Sequence, residues 1–168
     1  MKLVLLLLFT AMLPAQAPPS FRSDLLIGTW KVNWEKSRTP DQLASPRMPT
    51  LIREYHPYGD GFMLHTVLRA APGRQIPELD LIGAVKYDDK EYPTFTPERL
   101  TNLFTAGAKP AQTVSFKPTG PLSLDWADRT NGKITVDGAM ELSPDGRTMK
   151  FTSRSQRGIS LLIYEKSD

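Results

Sequence analysis

Apolar and polar residues alternate along most of the chain, in short runs separated by turn-forming residues. In one run Leu122, Leu124 and Trp126 alternate with Ser123 and Asp125. A period of two places alternate side chains on opposite faces of an extended strand, so one face is buried and the other is solvated. The pattern predicts nine strands, over residues 26–34, 50–55, 61–69, 79–87, 112–117, 122–126, 133–142, 148–154 and 159–165.

The residues between these runs are those that tight hairpin turns require. Glycine, asparagine and aspartate adopt positive φ readily, and they occur at 58–61, 87–90, 131–132 and 143–146. Short turns of this kind join neighbouring antiparallel strands. The half-buried alternation also differs from the continuous apolar runs of a parallel sheet, so we expect an all-β, antiparallel fold.

Two stretches interrupt the alternation. Residues 35–49 are rich in proline and charge, and residues 94–112 contain two prolines and a glycine. Within the second stretch, Thr96 followed by Pro97 has the pattern of a helix start and predicts a short helix over 97–104. Long loops in a compact domain are usually functional, so both stretches are candidates for a lid or a contact surface.

The start of the chain has the pattern of a cleavable secretory signal. Lys2 precedes an apolar run over 3–13, and Ala15-Gln16-Ala17 forms a small-residue cleavage site followed by Pro18. The apolar run is shorter than the roughly 18 residues that a membrane-spanning helix needs. We therefore expect an exported protein of the periplasm or the extracellular space without an integral membrane span, composed of a signal peptide at 1–17, a linker at 18–25 and a barrel domain at 26–168.

Composition narrows the class of protein further. Removing seventeen of the 168 residues leaves 151, which suits one domain with its own core. The chain has no cysteine, so disulfides cannot stabilise it after export. Its net charge of +3 is spread over interleaved residues of both signs. Such a surface attracts a polyanion weakly, and nucleic acid is not an expected partner.

Several short motifs occur together in a fixed order. They are Gly28-Thr29-Trp30 at the first strand, residues 86–93, residues 143–149 and residues 164–166. Together they resemble a family of small exported bacterial proteins, lipocalin-like or calycin-type and of uncharacterised function. The turn at Asp89 departs from the glycine usual in that family.

The resemblance implies an antiparallel up-and-down β-barrel of about eight to ten strands with at most one short helix. It also implies structural roles at one barrel end, where Gly28 permits a close approach and Trp30 closes the barrel. A cationic side chain commonly stacks on such a ring, and Arg154 or Arg157 are the expected candidates.

Catalytic and metal-binding patterns are not evident. His56 and His65 lie near Glu54, but a turn separates them and nothing in the sequence directs both side chains to one point. The serines lack a nucleophile elbow, and Asp125 and Asp128 resemble ordinary solvated acids. We therefore expect no catalytic residue, no metal site and no cofactor.

Two functions of different classes remain open. A small barrel can be packed by its own side chains or can hold one small ligand. In the first case the protein would bind a small apolar or amphipathic molecule in its interior. In the second, a filled barrel would contact a protein partner through residues 35–49 and 94–112, as an inhibitor or envelope component does. The candidate ligand-binding residues are the large apolar side chains Phe62, Leu64, Phe104, Phe116, Trp126 and Phe151.

Overall fold

The structure is a computed structural model, and it describes residues 20–40, 49–70, 79–96 and 111–167. Within these ranges the chain forms one short helix and ten strands. They are α1 Ser23–Leu26, β1 Gly28–Arg38, β2 Thr50–Tyr58, β3 Gly61–Arg69, β4 Leu79–Lys86, β5 Tyr92–Phe95, β6 Gln112–Gly120, β7 Ser123–Thr130, β8 Lys133–Leu142, β9 Thr148–Ser155 and β10 Gly158–Lys166.

The ten strands form a closed barrel. Each strand pairs with the next along the chain, and β1 pairs with β10 to complete the ring, with Trp30 opposite Lys166. The predicted antiparallel up-and-down barrel is confirmed. A tenth strand, β5, was not predicted because its four residues include Pro93 and are too few to show an alternation. No helix in the described ranges is long and apolar enough to cross a membrane.

Both predicted loops begin or end inside strands. β1 continues to Arg38, which pairs with Leu161 after a bulge, so the boundary at residue 35 was wrong. The stretch 94–112 likewise includes the last two residues of β5 and the first residue of β6. The signal at 1–17 and the helix expected over 97–104 lie outside the described residues.

One end of the barrel is filled with large side chains. The indole nitrogen of Trp30 donates a hydrogen bond of 2.8 Å to the Leu26 carbonyl in α1, which packs across this end. The Lys166 ammonium lies 5.2 Å from the centre of the Trp30 ring and donates to the carbonyl of Leu25. The largest fully buried side chains are Trp30, Tyr55, Tyr164, Phe62, Phe116, Leu26, Leu124, Met140 and Met149.

The contacts of Trp30 differ in one respect from the expectation. The cation on its ring is Lys166, because β10 pairs with β1 and brings its last residue over the indole. Arg154 instead forms an ion pair of 2.7 Å with Asp137. Gly28 has a φ of 132°, a backbone conformation that side-chain-bearing residues rarely adopt, so this position favours glycine. A Cβ there would also lie 2.6 Å from a Lys166 side-chain carbon, and the flexible lysine would have to shift.

Toward the opposite end, inward side chains lose their burial. On β3, Phe62 and Leu64 are buried, whereas Leu68 is half-buried. On β10 the same change occurs between Tyr164 and Leu162. The connections from β1 to β2, from β3 to β4 and from β5 to β6 all leave from this second end. On these strands the inward side chains are fully buried in one half of the barrel and partly exposed in the other, which we call the open half.

Candidate ligand site inside the barrel

Arg53 extends into the barrel at the boundary between the two halves. On β2 it lies opposite Trp30 of β1 and Thr66 of β3, which are both buried inward residues. Its guanidinium carbon is 3.9 Å from the centre of the Phe151 ring and 5.7 Å from that of Tyr164. Since β9 is reached from β2 only through β1 and β10, the side chain crosses the interior to meet these rings. Both contacts have cation–π geometry.

The guanidinium forms no ion pair with a carboxylate in the described part of the chain, although Asp128 is near enough for the two charges to interact. Its Nε is buried without a hydrogen-bond partner. The hydroxyls of Tyr55 and Tyr164 lie nearby, but each is buried without a well-directed hydrogen bond. Buried polar groups are normally paired, because leaving one unpaired costs about 1–3 kcal/mol, and more for a charge.

The electrostatics of these three groups keep the positive charge in place. Burial alone lowers the pKa of Arg53, but the neighbouring Tyr164 and Tyr55 side chains raise it, and the net change is upward. Burial raises the pKa of both phenols, and the guanidinium offsets only part of that rise. The tyrosines therefore stay neutral at physiological pH. They can donate hydrogen bonds but cannot neutralise Arg53.

Further unpaired polar atoms face the same interior. Thr66 lies directly across from Arg53 on β3, and its buried hydroxyl has no hydrogen-bond partner. The buried Tyr87 hydroxyl also lacks a hydrogen-bond partner. Burial raises the pKa of Tyr87, so this phenol also stays neutral. The Tyr87 ring packs against Phe62 with its centre 5.0 Å away. Thr66 therefore adds a hydroxyl beside Arg53, whereas the Tyr87 ring belongs to the filled end, where it also packs against Phe21.

Asp128 corrects the sequence-based interpretation of the acids on β7. Asp125 is exposed, as expected, but Asp128 lies opposite Val114 and Val136 on the inward face. Burial raises the pKa of the Asp128 carboxyl, and the positive charge of Arg53 offsets part of that rise. The alternation itself carried this signal, since Asp128 continues the inward series that begins at Leu124.

The structure separates the predicted ligand-binding residues into two groups. Phe62, Leu64 and Phe116 are buried in the filled end, and the rings of Phe62 and Phe116 meet at 5.1 Å. Trp126 and Phe151 stack at 4.6 Å, and Arg53 covers Phe151, so this pair borders the polar boundary. Phe104 lies outside the described residues.

The two histidines lie on the outer surface of the barrel. His65 is held between Glu54 of β2 at 2.9 Å and Asp80 of β4 at 2.8 Å, so it bridges three strands. The His56 ring is 3.7 Å from Glu54. In the part of the chain that the structure describes, no three histidine or carboxylate side chains are placed to hold a metal ion.

Sequence reasoning missed Arg53, Tyr55 and Tyr164. The pattern in β2 could have indicated the first two, because Leu51, Arg53 and Tyr55 share one face and a charge between two inward residues is unusual. Tyr164 carried no such signal, since an inward tyrosine on a strand is ordinary. Only the closed barrel brings it beside Arg53.

Comparison with solved structures agrees with this architecture. The fold is a calycin-type barrel. The crystal structure of the wild-type fluorescent protein UnaG matches with 15% identity and a TM-score of 0.54, covering 86% of this chain and 98% of that one. The REP1-NXSQ fatty acid transporter matches with 14% identity and a TM-score of 0.53, covering 87% and 98%.

A fatty acid binding protein of Schistosoma mansoni, solved in complex with arachidonic acid, also matches, with 13% identity and a TM-score of 0.53 over 86% of this chain and 97% of that one. At these identities the likeness shows the shared fold alone. No protein family model matches the chain, and no curated protein matches it in sequence.

Proposed function

We propose that this protein binds a small amphipathic molecule through an anionic head group held at Arg53 inside the barrel, and that it acts as a binding protein and not as an enzyme. One observation carries the proposal: the Arg53 guanidinium lies inside the barrel without an ion pair to any described carboxylate, and its Nε is buried without a hydrogen-bond partner. An uncompensated buried charge is costly, and an anionic ligand would compensate it.

The surrounding groups suit such a head group. Arginine presents a planar set of donors that matches a carboxylate or a phosphate. The hydroxyls of Tyr55 and Tyr164 add donors beside it, and both stay protonated because burial raises the pKa of each. A carboxylate at this point could accept hydrogen bonds from the Arg53 Nε and from the two phenol hydroxyls, which otherwise lack a well-directed partner.

The open half of the barrel suits the apolar part of the ligand. Its inward residues include Leu51, Leu68 and Leu162, each half-buried and able to contact a hydrocarbon chain. Two of the structural neighbours add support by analogy, because one is a fatty acid transporter and the other was solved with a fatty acid. We further propose that binding takes place outside the cytoplasm, on the signal pattern of residues 1–17.

The half-buried inward residues also favour interior binding over the alternative of a filled barrel that acts through its loops. A barrel packed along its whole length would bury Leu51 and Leu162 as completely as it buries Tyr55 and Tyr164. The loop hypothesis depends on residues 35–49 and 94–112, most of which lie outside the described ranges.

A titration with matched ligands tests the proposal. Isothermal titration calorimetry should show that wild-type protein prefers dodecanoic acid to dodecanol by about tenfold or more, the usual effect of a hydrogen bond to a charged group. Arg53→Met should remove that preference. Arg154→Met replaces an exposed, ion-paired arginine and should leave the preference intact. Equal affinity of the wild type and Arg53→Met for the acid would overturn the proposal.

A further inference from the structure

A second charged group, the Asp128 carboxyl, faces the same interior. We propose that the ligand's head group carries a hydrogen-bond donor, a hydroxyl or an amine, beside its anionic group, and that Asp128 accepts from this donor. The inference rests on the proposed function and specifies the class of ligand, a hydroxylated or aminated amphiphilic acid in place of a plain fatty acid.

The register of β7 places Asp128 next to the Arg53 site. Trp126, one inward position closer to the filled end, stacks on Phe151, and the Arg53 guanidinium covers the Phe151 ring. The two neighbours of Asp128 across the sheet, Val114 of β6 and Val136 of β8, are apolar inward residues. Arg53 and Asp128 thus both face the barrel interior beside the stacked rings of Trp126 and Phe151.

The two opposite charges are close but not joined. Asp128 is near enough to Arg53 for the guanidinium to act on its pKa, yet the two form no ion pair within 4 Å. The Asp128 carboxyl has no hydrogen-bond donor among the described residues, and the other titratable groups near Arg53 are the neutral phenols of Tyr55 and Tyr164. A pair selected for stability would be in contact, because separated buried charges each bear a desolvation cost.

The gap between the charges has a chemical consequence for the ligand. A plain carboxylate held by Arg53 would bring a second negative charge toward Asp128. A hydroxyl or amine near that carboxylate would instead donate to Asp128 and satisfy both groups at once. Specificity for a polar substituent is strong when its absence leaves a buried polar group unpaired.

Calorimetry with three acids of equal chain length tests the inference. The probes are dodecanoic acid, 2-hydroxydodecanoic acid and 3-hydroxydodecanoic acid, because the position of the donor sets how far it reaches from the carboxylate. Wild-type protein should bind at least one hydroxy acid about tenfold or more tighter than dodecanoic acid, the usual effect of a hydrogen bond to a charged acceptor.

Asp128→Leu should remove that preference while leaving the preference for acid over alcohol that depends on Arg53. The matched control is Asp125→Leu, on the outer face of the same strand, which should bind all three acids as the wild type does. If Asp128→Leu does not fold, Asp128→Asn serves in its place and should weaken the preference, because a neutral amide is a poorer acceptor than a carboxylate.

The two proposals fail in different ways. A wild type without preference for either hydroxy acid, or an Asp128→Leu variant that keeps the preference, would overturn the role of Asp128 and leave the Arg53 site standing. A wild type that binds dodecanol as tightly as dodecanoic acid would overturn the anionic site itself.

Discussion

Replacing Trp30 with alanine should lower the free energy of unfolding by about 3–5 kcal/mol, the usual cost of truncating a buried tryptophan. The side chain has no exposed surface. A ring of this kind buries on the order of 150–250 Å², which at about 25 cal/mol per Å² corresponds to roughly 4–6 kcal/mol of transfer free energy. Truncation would also leave the Leu26 carbonyl without its indole donor. A domain of this type has about 5–15 kcal/mol in total, so the variant should be close to unfolding.

Urea denaturation followed by circular dichroism measures this loss, and Trp34→Ala is a matched control. Trp34 lies on the same strand and its indole also donates to a backbone carbonyl, that of Pro49, at 2.7 Å. The difference is burial, because Trp34 is half-buried toward the open end. Its truncation should therefore cost clearly less than that of Trp30.

An equal loss in the two variants would refute the reasoning, since it would mean that the end closed by α1 is no better packed than the open end. A second outcome is also decisive. If Trp30→Ala kept wild-type stability and lost ligand affinity, Trp30 would belong to the binding site and would not close the barrel.

Three further predictions concern stability and processing. Arg53→Met should raise the free energy of unfolding of the ligand-free protein, because it removes a cation that lies inside the barrel without an ion pair; a lower value in urea denaturation would contradict this. Burial lowers the pKa of His65, but hydrogen bonds to Glu54 and Asp80 raise it more, so the net change is upward from 6.5. The stability that protonated His65 contributes is complete below pH 6.5, the unfolded-state pKa, and is lost as pH rises through the higher folded-state pKa. The melting temperature should fall over that range in the wild type and less in His65→Gln. Mass spectrometry of protein from the cell envelope or medium should show an N-terminus within a few residues of Pro18, and soluble cytoplasmic protein that keeps its first residue would contradict export.

Two strands, β3 and β8, were predictable to the residue. Their alternation is regular, and glycine-containing turns lie before β3 and on both sides of β8. β5 was missed for the opposite reason. It pairs with β4 and β6 at two positions each, and its place in the barrel comes from those neighbours and not from its own pattern.

The candidate site was harder to predict because it depends on contacts between distant strands. The aromatic residues were recognised as a group, but sequence does not show which of them fill the barrel and which border open space. Arg53 on β2 meets Phe151 on β9 only because the sheet closes on itself. The error at Asp128 is simpler: an aspartate was expected to be solvent-exposed, while its position in the alternation indicated that it faces the interior.

The ladder between β1 and β10 has a consequence for how the chain folds. It joins the first strand to the last, and the bond from Lys166 to Leu25 spans 141 positions. Contacts between residues so far apart in sequence form slowly, because closing the long intervening loop costs conformational entropy before the contact contributes any stability. During synthesis the ring has no way to close until the final strand has left the ribosome. A chain ending before Gly158 would leave β1 and β9 as two unpaired edges, each open to pairing with another molecule and so to aggregation.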